Sequence, residues 1–278
     1  STLSRYYHFM SYLGHVTGMA QFLEYFAVPH ILEIGVDQGQ SALPLLAHMI
    51  SQGRPFKWVG VDIKESSTFH EQLFQLPGVV PGEKTFSEKW NVMYPIANST
   101  EFLCNAVDSG WKFDLIMHDG DHNYASIKRE LSLIEKLMHP RTLLFIDDYN
   151  GRWAETDLFY AEKAGYKKLN PNPVESIPGK VGVRSAVNDW LHPTALQLNH
   201  HNEYEPCWIF NPEFVHAIEP PDDYKIPMDH PKMPPLFLRM NEPPNTVTGR
   251  CHMQCKLVKE DCYGYEYKNF IVGGALDP

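Results

Sequence analysis

Residues 113–146 place the tightest constraint on the fold. An apolar run at 113–117 precedes a stretch in which Ile127, Leu131, Ile134 and Met138 recur at spacings of four, three and four, and a second apolar run at 142–146 follows. The middle spacing puts one buried stripe on a helix over 126–138. Short apolar runs joined through a helix are parallel strands covered on both faces. The alternation continues outward, with strands expected at 31–34, 57–63, 91–96 and 207–210 and helices at 41–50, 99–108, 152–164 and 184–191. Pro44 fits a helix that starts just before it, because first-turn amides have no helical acceptor to lose. Right-handed crossovers then bring every post-strand loop to one edge of the sheet, where open α/β sheets bind ligands.

The flanks differ from this centre. Residues 1–29 form an N-terminal helical segment, with Phe9, Leu13, Val16, Met19, Phe22, Leu23 and Phe26 at helical spacing. Residues 30–212 hold the α/β domain. From 213 to 278 the periodicity stops and 9 of the 22 prolines fall, so this part reads as an irregular Pro-rich extension. Its Cys251, Cys255 and Cys262, with His252, lack the paired spacing of closed zinc sites, so buried thiols are the favoured reading.

Charge narrows the function classes. Lys and Arg total 24 against 34 Asp and Glu, a net charge of −10. That balance excludes binding by phosphate neutralisation, so neither nucleic acid nor an anionic membrane is an expected partner. Five cysteines without a disulfide framework, and no leader pattern, point to a soluble protein in a reducing cytoplasm.

The first strand runs into a glycine turn, Glu33-Ile-Gly35-Val-Asp-Gln-Gly39-Gln-Ser41. Glycines let backbone approach a ligand closely. Their spacing departs from the dinucleotide pattern G-x-G-x-x-G, and Glu33 would oppose a pyrophosphate. A phosphate-free ligand bearing positive charge suits the turn better. Asp62 follows Gly35 by 27 residues, near the offset of roughly 20 at which an acid on the neighbouring strand reaches ribose hydroxyls.

These residues resemble motif I and the second-strand acid of class I S-adenosylmethionine-dependent methyltransferases. The resemblance implies a Rossmann-like, doubly wound, mostly parallel seven-stranded sheet with helices on both faces. It also implies S-adenosylmethionine held by Glu33, Gly35, Gly39, Ser41 and Asp62, with Asn98 and Ser99 at the adenosine and Asp119 alongside. Ser99 is also a candidate cap for the helix that follows.

Two further strand ends carry acids: Asp119-Gly120-Asp121-His122 after the fourth, and Asp147-Asp148 after the fifth. Three carboxylates brought together repel one another unless a cation lies between them. Hard oxygen donors favour Mg²⁺, with Mn²⁺ or Ca²⁺ as substitutes. His122 is placed to take a proton from an activated hydroxyl, while His118 reads as a packing histidine and Asp121 as a supporting group or a cap. The pattern is similar to metal-dependent O-methyltransferases, in the branch with macrocin and mycinamicin sugar methyltransferases and cephalosporin-hydroxylase-like proteins. That branch implies Asp119, Asp147 and Asp148 as metal ligands and His122 as base, with Asp147 standing where Glu is common. The expected activity is methyl transfer to a hydroxyl of a sugar or another polyhydroxylated small molecule. The alternatives are a same-fold enzyme with hydroxylase-like or lyase chemistry and a non-catalytic nucleoside-binding module. Homo-oligomerisation stays open.

Overall fold

The computed structural model describes residues 16, 18–76, 90–160, 175–200 and 206–212. Most of the N-terminal segment and the whole Pro-rich extension with its three cysteines lie outside the described residues.

Seven strands form one sheet: β1 (His30–Ile34), β2 (Phe56–Val61), β3 (Trp90–Met93), β4 (Leu115–His118), β5 (Leu143–Ile146), β6 (Gln197–His200) and β7 (Cys207–Phe210). Their spatial order is β3-β2-β1-β4-β5-β7-β6. The first five are parallel, whereas β7 runs antiparallel to β5 and to β6. Five helices are complete within the described residues: α1 (Ala42–Ser51), α2 (Ser67–Leu73), α3 (Ser99–Asp108), α4 (Tyr124–Leu137) and α5 (Gly182–Leu191). None of the described helices is long and apolar enough to cross a membrane.

Strand periodicity of two divides the core into two layers. Ile31, Phe56, Trp58, Leu115, Met117, Leu143, Phe145, Trp208 and Phe210 pack on one face with Leu45, Leu46 and Met49 of α1 and Phe69 of α2. Helical residues 18–23 join this layer through Met19 and Leu23. Leu32, Ile34, Val59, Val61, Ile116, Leu144, Ile146, Cys207 and Ile209 face the other way, onto α3, α4 and α5. The buried stripe expected from Ile127, Leu131 and Ile134 is therefore the inner face of α4.

Register decides where the chemistry emerges. Ile34 pairs with Val61 on one side and with His118 on the other, and His118 pairs with Ile146. Gly35, Asp62, Asp119 and Asp147 thus leave the sheet side by side at its carboxyl edge.

The expected helix at 152–164 is absent over its described part, 152–160, which forms turns, bends and a single bridge. Asp157 Oδ1 accepts from the backbone amides of Tyr124 and Gly182 at 2.8 Å each. Leu158 bridges to His122 in extended backbone. These tertiary bonds hold the segment across the first turns of α4 and α5, and a helix would break them.

Candidate active site

Gly35 turns the chain out of β1 with φ +83°, and its amide donates to Val61 O at 2.9 Å. A Cβ here would lie 2.0 Å from the carbonyl oxygen of Asp119. The glycine is therefore required first by the β4 loop packed on it, and only indirectly by a ligand. Gly35→Ala is expected to cost more than the roughly 1–2 kcal/mol of a left-handed backbone alone, read as a fall in the urea midpoint. A wild-type midpoint would overturn this packing account. At Gly39 (φ +77°), a Cβ would meet Phe69 at 2.3 Å, so this glycine seats α2 against the turn.

Glu33 and Ser41 face away from the loops. Ser41 Oγ donates to Glu33 Oε1 at 2.5 Å and Trp58 Nε1 donates to Oε2 at 3.3 Å. Ser41 thus occupies the N-cap of α1 without capping it. Glu33 is 1% exposed, and burial pushes its carboxyl up to about 8 against the opposing pull of these two hydrogen bonds. Glu33, Gly39 and Ser41 shape the turn from behind and are not among the residues lining the cavity.

That cavity, of about 360 Å³, lies over the carboxyl edge between the β1, β2 and β4 loops and the first turns of α3 and α4. Of the expected site residues, Gly35, Asp62, Asn98, Ser99 and Asp119 line it. Asp62 is held firmly: Oδ2 accepts from Val36 N (2.9 Å) and Asp37 N (2.8 Å), and Oδ1 from Lys64 N (3.0 Å). Three backbone donors fix the carboxylate and leave lone pairs for a ligand's hydroxyls.

Asn98, rather than Ser99, caps α3, its side chain accepting from Glu101 N at 3.2 Å. Ser99 Oγ instead donates to Glu130 Oε1, as does Thr100 Oγ1 at 3.3 Å. Glu130 Oε2 lies 2.6 Å from His118 Nε2. His118 is therefore buried, as expected of a packing residue, but in a polar pair that ties β4, α3 and α4 together. Asp121 does not cap α4; Asn123 does, through Ser126 N at 2.8 Å. Asp121 accepts from Asn123 Nδ2 (2.5 Å), Ser126 Oγ (2.8 Å) and Tyr160 N (3.1 Å). It lines the cavity, and burial raises its carboxyl above the usual range despite those donors.

His122 lies between two carboxylates. Its Nε2 is 3.2 Å from Asp119 Oδ1 and its Nδ1 is 2.8 Å from Asp148 Oδ2. Burial disfavours the imidazolium, but the hydrogen bonds and charges of Asp119 and Asp148 outweigh it and push His122 up to about 10. Asp148 reaches the ring from a left-handed backbone, φ +56°. Gly151 makes room for it, since a Cβ there would lie 2.0 Å from Asp148 Oδ1. His122, Asp147 and Asp148 do not line the cavity; Asp119 does, so His122 meets it through Asp119.

The three expected metal ligands are thus at one edge, but two of them share an imidazole. Among the described residues no group of three His, Cys, Asp or Glu is arranged around a point that could hold an ion. As folded, the trio does not fit a metal. Sequence reasoning also missed Asp37, Ile63, Arg129, Glu130 and Tyr160 on the cavity wall. Glu130 carried a signal: it falls beside Leu131 on the buried stripe of α4, where a carboxylate requires a partner.

Residues 32–149 match the family model described as a methyltransferase domain. No curated protein matches the chain. Among solved structures it is similar to an O-methyltransferase from Bacillus cereus in complex with SAH, with 14% identity over 70% of this chain and 78% of that one, TM-score 0.43. It is also similar to the O-methyltransferase TomG from Streptomyces achromogenes in complex with SAM, with 13% identity over 72% and 78%, TM-score 0.43. The MycE methyltransferase of the mycinamycin pathway, in complex with Mg and SAH, shares 14% identity over 76% of this chain and 51% of its own length, TM-score 0.42. The matched segment spans β1 to the loop after β5 and holds the glycine turn, Asp62, Asp119, His122 and Asp148. The match to a methyltransferase domain thus covers the part of the β3-β2-β1-β4-β5-β7-β6 sheet whose strand ends carry the candidate site.

Proposed function

We propose that the chain is an O-methyltransferase that moves the methyl group of S-adenosylmethionine to a hydroxyl of a sugar or another small polyhydroxylated acceptor. One observation carries this reading: the same cavity is lined by the backbone-tethered Asp62 and by Asp119, which is in contact with His122. Asp62 suits a vicinal diol, and Asp119 and His122 suit a hydroxyl that must lose its proton. The acceptor oxygen attacks the methyl carbon, the carbon–sulfur bond breaks, and the sulfonium becomes a neutral thioether. The hydroxyl proton passes toward Asp119 and His122. Holding oxygen and methyl at near-attack distance supplies up to about 7–11 kcal/mol of barrier reduction. Calorimetry with S-adenosylhomocysteine and label transfer from methyl-labelled cofactor to a panel of hydroxylated acceptors test the reading. Binding without transfer to any acceptor would favour the nucleoside-binding alternative.

Magnesium is a second reading, favoured by the donor chemistry of Asp119, Asp147 and Asp148 at neighbouring strand ends. A bound ion would supply Lewis-acid activation of the acceptor oxygen, and it requires His122 to release a carboxylate. Under this reading excess EDTA abolishes turnover, and Asp148→Ala removes both activity and the response to added magnesium while S-adenosylhomocysteine affinity changes little. Full activity in excess EDTA eliminates the ion. The buried thiols of Cys104 and Cys207 support a reducing cytoplasmic setting, with no nucleic-acid or membrane partner.

A further inference from the structure

We infer that Arg129 recognises the nucleobase of the cofactor, setting the protein's preference for a purine-bearing ligand; this rests on the cofactor reading above. Arg129 lies on α4 with Ser126 and Glu130 at helical spacing, and all three line the cavity beside Ser99 and Thr100 of α3. This part of the wall is where a base would lie. On the cofactor reading the adenosine lies against Asn98 and Ser99, which share this wall with Ile63.

The surrounding charges define what Arg129 can bind. Asp37, Asp62, Asp119, Asp121 and Glu130 share the wall, and Arg129 is the one basic residue among the described residues that line it. Two of these carboxylates, on or beside α4, are already engaged. Glu130 is bound by His118, Ser99 and Thr100, and Asp121 by Asn123, Ser126 and the Tyr160 amide. The Arg129 side chain, only partly exposed, forms no salt bridge or hydrogen bond with another described residue. A phosphate or carboxylate at this point would face five acids. A neutral aromatic ring would not, and it offers a π-face and acceptor nitrogens to a planar guanidinium.

The test compares two ligands in the full chain. S-adenosylhomocysteine carries the base, and S-ribosylhomocysteine is the same molecule without it. In Arg129→Ala the affinity for S-adenosylhomocysteine is expected to fall by about 2–30-fold, the range of a cation–π contact. The affinity for S-ribosylhomocysteine should stay unchanged. The preference between the two ligands therefore shrinks, a change that general damage to α4 would not produce. Equal affinity of the variant and the wild type for S-adenosylhomocysteine overturns the inference, as does a parallel loss of both ligands. If the wild type binds neither ligand, the cofactor reading has failed and this inference falls with it. If the wild type binds S-adenosylhomocysteine tightly and Arg129→Ala binds it equally well, only the assignment of Arg129 has failed.

Discussion

Replacing His122 by alanine is expected to lower turnover by about 10²–10⁴-fold, the range of a positioned base, with S-adenosylhomocysteine affinity retained. The pH dependence is the sharper part of this prediction. Asp119 and Asp148 push His122 up to about 10, so at pH 7 only about one imidazole in a thousand is neutral. For a base in this state, kcat/KM of the metal-free protein climbs with pH and levels off near 10, because that profile reports the free enzyme. His122→Gln keeps a hydrogen bond to one carboxylate but accepts no proton near neutrality. Its turnover should stay low and lose the rise with pH. Wild-type rates for His122→Gln across pH 6–10 would remove the base role and leave His122 as a cation that holds the β4 and β5 loops together.

How much of this was legible in the sequence depends on where each element draws its stability. Strand β1, helix α3 and the edge shared by Gly35, Asp62, Asp119 and Asp147 follow from local pattern and the handedness of crossovers. Helix α2 did not declare itself, because it is seven residues long with only Phe69 and Leu73 buried. Strand β6, Gln-Leu-Asn-His, is a polar edge strand set by its pairing with β7. The segment at 152–164 misled for the opposite reason. Ala154, Leu158, Ala161 and Ala164 stand at helical spacing, while the bonds to Asp157 and the Leu158–His122 bridge that straighten its described part come from distant residues. The acids at the strand ends were readable as a cluster. That His122 would sit between two of them depended on the left-handed turn at Asp148 and the space left by Gly151, neither of which has a pattern in the sequence.

The second large effect concerns stability, and it separates Glu33 from the carboxylates at the edge. Burial raises the Glu33 carboxyl from 4.5 to about 8, so the folded chain keeps this proton over a range in which the unfolded chain has lost it. The contribution is full below about pH 4.5 and is lost as pH rises to about 8, at up to about 1.4 kcal/mol per pH unit. His122, raised from 6.5 to about 10, adds a loss of the same sign over its own higher window. Urea midpoints measured from pH 5 to pH 10 should therefore fall toward the alkaline end. Glutamine at position 33 copies the protonated acid, since its amide can donate to Ser41 Oγ while its oxygen accepts from Trp58. Glu33→Gln is thus expected to gain on the wild type steadily between pH 5 and 8 and to hold a constant advantage above that. In His122→Gln the slope between about pH 6.5 and 10 should flatten instead. Both variants leave Asp62 in place, so neither change should depend on added S-adenosylhomocysteine. A Glu33→Gln protein whose midpoint tracks the wild type at every pH would mean that Glu33 is ionised in the fold, with Ser41 and Trp58 holding a carboxylate against the cost of burying it.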